Sequence, residues 1–131
     1  MSRVNWKEMM GWEEEQLQEL RFSGFGFLRE GKYETARLFF EGLVVLNPEN
    51  AYDLQTLGAL YLQIGKNGKA LKYLDRALAI DPAHEPTMLN KVKALMMLGK
   101  KVEALPLAQR LQKSSFKQIA DDASALIIAN S

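Results

Sequence analysis

The chain has 131 residues, a net charge of +1, 47% hydrophobic and 25% charged residues, and no cysteine. This length supports one domain with a continuous core. Without cysteine there are no disulfides, thiolate nucleophiles or sulfur ligands to metals, and without an apolar run of 18 residues no spanning helix is expected. The halves differ in charge: residues 1–65 carry 6 basic and 10 acidic side chains, residues 66–131 carry 11 and 6. Solvated helix faces account for this, or electrostatic steering of a charged partner or of a second copy. The lysines are scattered, with no interleaved aromatic platform, so nucleic acid is not expected as a partner.

Residues 1–12 read as an N-terminal arm. Trp6, Met9 and Met10 share one helical face, Asn5 and Glu8 suit a capping box, and Trp12 follows Gly11. Two basic residues with no following apolar stretch give no secretory signal, and the absence of cysteine fits an expected cytoplasmic location. The arm is either a cap over the first helical unit or a self-association segment through Trp6, Met9, Met10 and Trp12, because that apolar load is large for a free end. A homodimer is the corresponding expectation.

From residue 17 the chain repeats itself at an offset of 34 residues. Gly24 falls on Gly58, Ala36 on Ala70, Pro48 on Pro82, and Gly31–Lys32 on Gly65–Lys66 and Gly99–Lys100. A 34-residue period marks helix–turn–helix units of the tetratricopeptide (TPR) type. The expected fold is all-α: a solenoid of three hairpins, 17–50, 51–84 and a degenerate 85–118, forming one domain over residues 13–131. A capping helix at about 115–129 closes it.

The first helix starts near Glu13, where Glu13, Glu14 and Glu15 complement the helix dipole. Gly24 marks a close approach of a neighbouring helix. Gly26 has no later counterpart, and either weakens the helix or leaves room for a ligand backbone. Gly31 ends the helix with a left-handed cap, and a second helix spans about Tyr33–Leu46 with Tyr33, Ala36, Phe40 and Leu43 inward. In the second unit Asn50 is the N-cap, Leu54, Leu57, Tyr61 and Ile64 lie on the first helix, and Ala70, Leu74 and Ala77 face inward on the second. In the third, Met88, Val92, Leu95, Ala104 and Leu111 continue the core. Pro106 predicts a kink or a late helix start. Ser115 with Gln118 reads as a capping box that opens the last helix, with Phe116, Ile119, Ala120, Ala123 and Ile127 on one stripe.

Helix faces not needed for packing define a candidate groove. In repeats of this type the exposed face of each first helix falls here on Gln18, Arg21, Phe25, Leu28 and Arg29. It continues as Tyr52, Gln55, Ala59, Leu62 and Gln63, then as Leu89, Lys93, Met96 and Met97. The apolar members form a trough of adaptable shape, since methionines repack around different ligands. A peptide groove is one reading and cover by the chain's own termini the other. Chemistry finds no support. His84 is the sole histidine and stands in a turn, so no metal, no cofactor and no catalytic residue is expected. The glycine clusters at Gly24 and Gly65 lack the preceding strand of a phosphate loop.

Within the TPR family the chain resembles the small three-repeat chaperones of bacterial type III secretion. The likeness rests on its size, on Gly31-Lys32-Tyr33-Glu34-Thr35-Ala36, on Leu43-Val44-Val45-Leu46-Asn47-Pro48 and on Glu85-Pro86. It implies a non-enzymatic, cytoplasmic chaperone that holds a secreted translocator protein before export. It further implies an extended client segment in the groove, with Phe25, Leu28, Tyr52, Leu62 and Met96 carrying over. A related branch serves needle or export-apparatus proteins. The alternative is a TPR adaptor or scaffold subunit of a stable complex. The type that clamps a terminal carboxylate is disfavoured, because Phe25, Pro86 and Asn90 stand where its polar side chains are needed.

Overall fold

Three glycines, one per unit, set the course of the chain. Gly31, Gly65 and Gly99 have φ of +76°, +82° and +76°, the left-handed region where a side chain is strained. At each, the glycine N–H returns to one carbonyl of the preceding helix (Leu28, Leu62, Met96) and the following lysine N–H to the carbonyl before it (Phe27, Tyr61, Leu95), at 2.8–3.1 Å. This is the Schellman closure. The computed structural model describes residue 11 and residues 13–131. Among these it has seven helices and no strand: α1 (Glu14–Arg29), α2 (Tyr33–Leu46), α3 (Ala51–Gln63), α4 (Asn67–Ile80), α5 (Glu85–Met97), α6 (Lys101–Leu111) and α7 (Lys117–Ala129).

Local chemistry explains the start of the first helix of each unit. Glu13 and Gln16 form a reciprocal capping box on α1, and the Asn50 side chain accepts from the Asp53 N–H at 2.9 Å to cap α3. Pro86 sits in the first turn of α5. Two expectations need correcting. Of the kink or late start expected at Pro106, the late start is excluded, because helix α6 begins at Lys101 and runs through Pro106; the proline leaves the carbonyl of Val102 without its donor. Helix α7 begins at Lys117, not Ser115, with Phe116 as N-cap and no side-chain cap bond. The capping box of Ser115 with Gln118 does not form; instead the Ser114 hydroxyl accepts from the Phe116 N–H at 3.1 Å and donates to Glu85 at 2.8 Å. Phe116 therefore leaves the inward stripe and is exposed, whereas Ala123 is fully buried.

Each helix packs on the next, and in addition α3 touches α5 and α5 touches α7. The last helix thus stands where the first helix of a fourth unit would. One hydrophobic cluster holds Leu17, Phe40, Leu43, Leu54, Leu57, Ala70 and Leu74. A second holds Met88, Val92, Leu95, Ala104, Leu111 and Ala123, and Leu71 packs on both. Hairpins close tightly at their small residues. A Cβ on Gly24 would stand 2.9 Å from the Phe40 ring, and one on Gly58 2.7 Å from Leu74. The Tyr61 phenol of α3 donates to the Glu41 carboxylate of α2, which also accepts from Arg37 at 2.9 Å. Burial pushes the Glu41 carboxyl up, but bonds from Tyr61 and Arg37 outweigh it and hold it below the ordinary value.

Gly58→Ala is expected to lower stability by about 1–3 kcal/mol through overpacking against Leu74. Gly26→Ala, where nothing lies within 4 Å of a new Cβ, is expected to raise it by about 1 kcal/mol; urea unfolding measures both. Burial, then the bond to Glu41, raises the Tyr61 phenol from 10.0 to about 12. The folded state holds this proton more tightly than the unfolded state. The stabilisation is therefore whole below pH 10 and is lost as pH rises towards about 12. Tyr61→Phe is expected to remove that part of the alkaline decline in urea midpoints.

Candidate functional site

Two hollows open along the first helices of the units. The N-terminal one encloses about 840 Å³ and is lined by Glu15, Gln18, Glu19, Arg21, Phe22, Ser23, Phe25 and Arg29 of α1 and Tyr52 of α3. Phe25 stacks on Tyr52 at 5.8 Å and meets Phe40 edge-on at 6.3 Å, so an aromatic wall rises directly from the core. Burial pushes the Tyr52 phenol above its ordinary value. Under this wall Arg21 and Asp53 form a two-pronged ion pair, Nε to Oδ1 at 2.6 Å and Nη2 to Oδ2 at 2.7 Å. Asp53 is fully buried and Arg21 is 8% exposed. The hydrogen bond to Asp53 raises the Arg21 pKa against the cost of burial.

The C-terminal hollow encloses about 600 Å³. Ala59, Leu62 and Gln63 of α3, Lys93, Met96 and Met97 of α5, and Leu126 of α7 line it, with Asn67, Asn90 and Asn130 at its edge. Its floor is apolar and its rim carries amides and one cation. A smaller recess of about 110 Å³ holds Tyr52, Gln55, Asp81, His84 and Thr87. There the His84 Nδ1 and the Thr87 hydroxyl lie 2.6 Å apart.

The residues read from the repeat positions thus divide. Gln18, Arg21, Phe25, Arg29 and Tyr52 come together at one end, and Ala59, Leu62, Gln63, Lys93, Met96 and Met97 at the other. Gln55 lies in the small recess, and Leu28 packs half-buried against the first cluster. Three differ in exposure from the expectation of an open trough. Arg21 is held by Asp53, and Leu89 and Met96 are buried in the second cluster, because α7 lies over α5 and adds Leu126, Ile119 and Ile127 there. The cover stops short of Met97, which is 70% exposed. Trp6, Met9, Met10 and Trp12 lie outside the described residues. Asp53 and Phe22 were not legible as site residues. Asp53 resembled any acid in a first helical turn; Phe22 falls off the repeat's groove positions, though its spacing of three from Phe25 was a usable signal.

Among the described residues no three His, Asp or Glu side chains gather as metal ligands, and no helix is long and apolar enough to cross a membrane. Residues 51–84, which contain α3 and α4, match the family described as tetratricopeptide repeat. The fold is that of the tetratricopeptide repeats. The structure is similar to the Yersinia enterocolitica type III secretion chaperone SycD in complex with a peptide of the translocator YopD, with a TM-score of 0.79 and 25% identity over 89% of this chain and 93% of that one. It is similar to PcrH of Pseudomonas aeruginosa in complex with the chaperone-binding region of PopD, with a TM-score of 0.82 and 22% identity over 91% and 93%. In sequence it is similar to the CTR9 homolog of Arabidopsis thaliana, 29% identical over 107 residues, or 77% of this chain. The chain spans about a tenth of the length of that curated relative.

Because Asp53 has no exposure, Asp53→Leu leaves the Arg21 charge buried and unpaired. It is expected to cost about 3–5 kcal/mol. The double variant Arg21→Met, Asp53→Leu is expected to recover most of that loss in urea unfolding.

Proposed function

We propose that this protein is a non-enzymatic cytoplasmic chaperone of a type III secretion system, holding a segment of a secreted client along its first helices. The observation that carries the reading is the likeness, over nine-tenths of both chains, to a chaperone solved with a translocator peptide. The two hollows support it. Each combines an apolar floor with a polar rim, the usual composition of a site that takes a side chain and its flanking backbone. Phe25, Leu28, Tyr52, Gln55, Ala59, Leu62, Lys93 and Met97 face the client, while Arg21, Leu89 and Met96 hold that surface from behind. Residues 13–131 act as one domain, and residues 1–12 are its arm.

The mechanism is capture without chemistry. A client held before export is kept out of aggregates when its exposed apolar side chains are covered. Burying one large side chain in either hollow is worth about 1.5–3 kcal/mol. Several such anchors along one client give useful affinity from individually weak contacts. Flexible Met97 lets the far end adjust to different side chains.

Purification from the native cell, with mass spectrometry of what remains bound, is expected to yield a secreted protein with apolar segments. Leu62→Asp or Met97→Asp is expected to abolish that capture with helicity unchanged. A stoichiometric subunit of a permanent complex, retained by both variants, would instead identify an adaptor.

A further inference from the structure

One face of α4 carries charge of a single sign. Lys69, Lys72 and Arg76 recur at i, i+3 and i+7, which is one helical face. The helix has one acid, Asp75, and it is paired with Lys91 of α5 at 2.7 Å. Elsewhere cations find acids on their own helix: Arg37 bonds Glu34 and Glu41 on α2, and Lys117 bonds Asp121 on α7. Lys72 and Arg76 instead stand four residues apart as like charges, an arrangement that weakens a helix. The stability of α4 therefore does not account for them.

Aromatic rings hold these cations in place. Tyr61 of α3 and Tyr73 of α4 stack with centroids 5.6 Å apart and planes 11° from parallel. The Lys69 Nζ lies 5.6 Å from the Tyr61 centroid, the Lys72 Nζ 5.4 Å and the Arg76 guanidinium carbon 5.5 Å from that of Tyr73. Tyr61 belongs to the first hydrophobic cluster and Tyr73 packs against it, so the core fixes the rings and the rings fix the charges. Side chains ordered before a partner arrives lose less freedom on binding. We propose that this face docks an acidic segment of a partner protein, with carboxylates on Lys69, Lys72 and Arg76 and one of them gripped by both prongs of the Arg76 guanidinium.

Spacing and charge select this occupant. Lys69 to Arg76 covers about 10 Å along the helix axis. An extended segment with acids at alternate positions presents carboxylates about 7 Å apart on one side, so two or three of them reach across the face. Nucleic acid fits less well, because the rings already stack on each other under the cations and leave a base no platform. Clusters that bind anionic bilayers gather about four to eight cations, more than α4 offers on this face. None of these side chains lines the two hollows. The face stays open while a client is held, and its test does not bear on the chaperone reading.

A fluorescein-labelled decapeptide of alternating glutamate and serine is the probe, read by fluorescence anisotropy on the full chain. Saturable binding that weakens as salt rises is expected. Lys72→Gln with Arg76→Gln is expected to weaken it about tenfold, and Tyr73→Leu to weaken it in the same direction, both with far-UV circular dichroism unchanged. Lys100→Gln with Lys113→Gln removes the same charge from exposed positions elsewhere and is expected to leave binding as it was. Equal losses in the two double variants would overturn the proposal, because net charge alone would then explain them. So would the absence of saturable binding at low salt. Tighter binding of oligothymidylate or of phosphatidylserine vesicles than of the peptide, lost on substituting Lys72 and Arg76, would overturn it too and name a different occupant.

Discussion

Everything in this molecule depends on how closely two helices approach within one hairpin. At Gly24 and Gly58 the distance is set so that a single added carbon would meet Phe40 or Leu74 within about 3 Å. Interiors packed like crystals tolerate no such intrusion. That contact holds the paired helices close in the first two units; in the third, Val92 stands at the glycine's place, and Ala104 and the left-handed cap at Gly99 carry the pattern on. Stacking the hairpins then leaves one side of α1 and α3 largely free of packing duty, and that side of α5 only where α7 does not reach it. The hollows are the remainder once the core has taken the faces it needs.

Electrostatics is used to hold units together rather than to do chemistry. Arg21 and Asp53 join the first helices of two units in the interior, and Tyr61, Glu41 and Arg37 join α2 to α3. A buried pair adds little net stability against apolar packing, but it penalises any arrangement in which the partners separate. Slipping α1 by one residue against α3 would pull Arg21 from both oxygens of Asp53. The pair therefore acts as a register mark beneath the aromatic wall of Phe25 and Tyr52.

Architecture was readable because it is periodic. The offsets of Gly31, Gly65 and Gly99, the inward stripe through Ala36, Phe40 and Leu43, and the Asn50 cap are all local patterns, and each appears in the structure. Pairings across units were not readable: nothing near Asp53 in the chain signals an arginine thirty-two positions away. The depth of the groove was also hidden. Repeat positions assign Leu89 and Met96 to the free face, yet burial there depends on where α7 lands, a tertiary event beyond the repeat. The start of α7 shifted for a similar reason. Ser114 found a distant partner in Glu85, which a local capping pattern cannot foresee.

Leu71 is the side chain that packs on both hydrophobic clusters. Ala94 of α5 also belongs to the first cluster, so the two apolar masses meet across the seam between α4 and α5. A load applied at either end of the curl is therefore passed to the other half through close-packed side chains and not through the backbone alone.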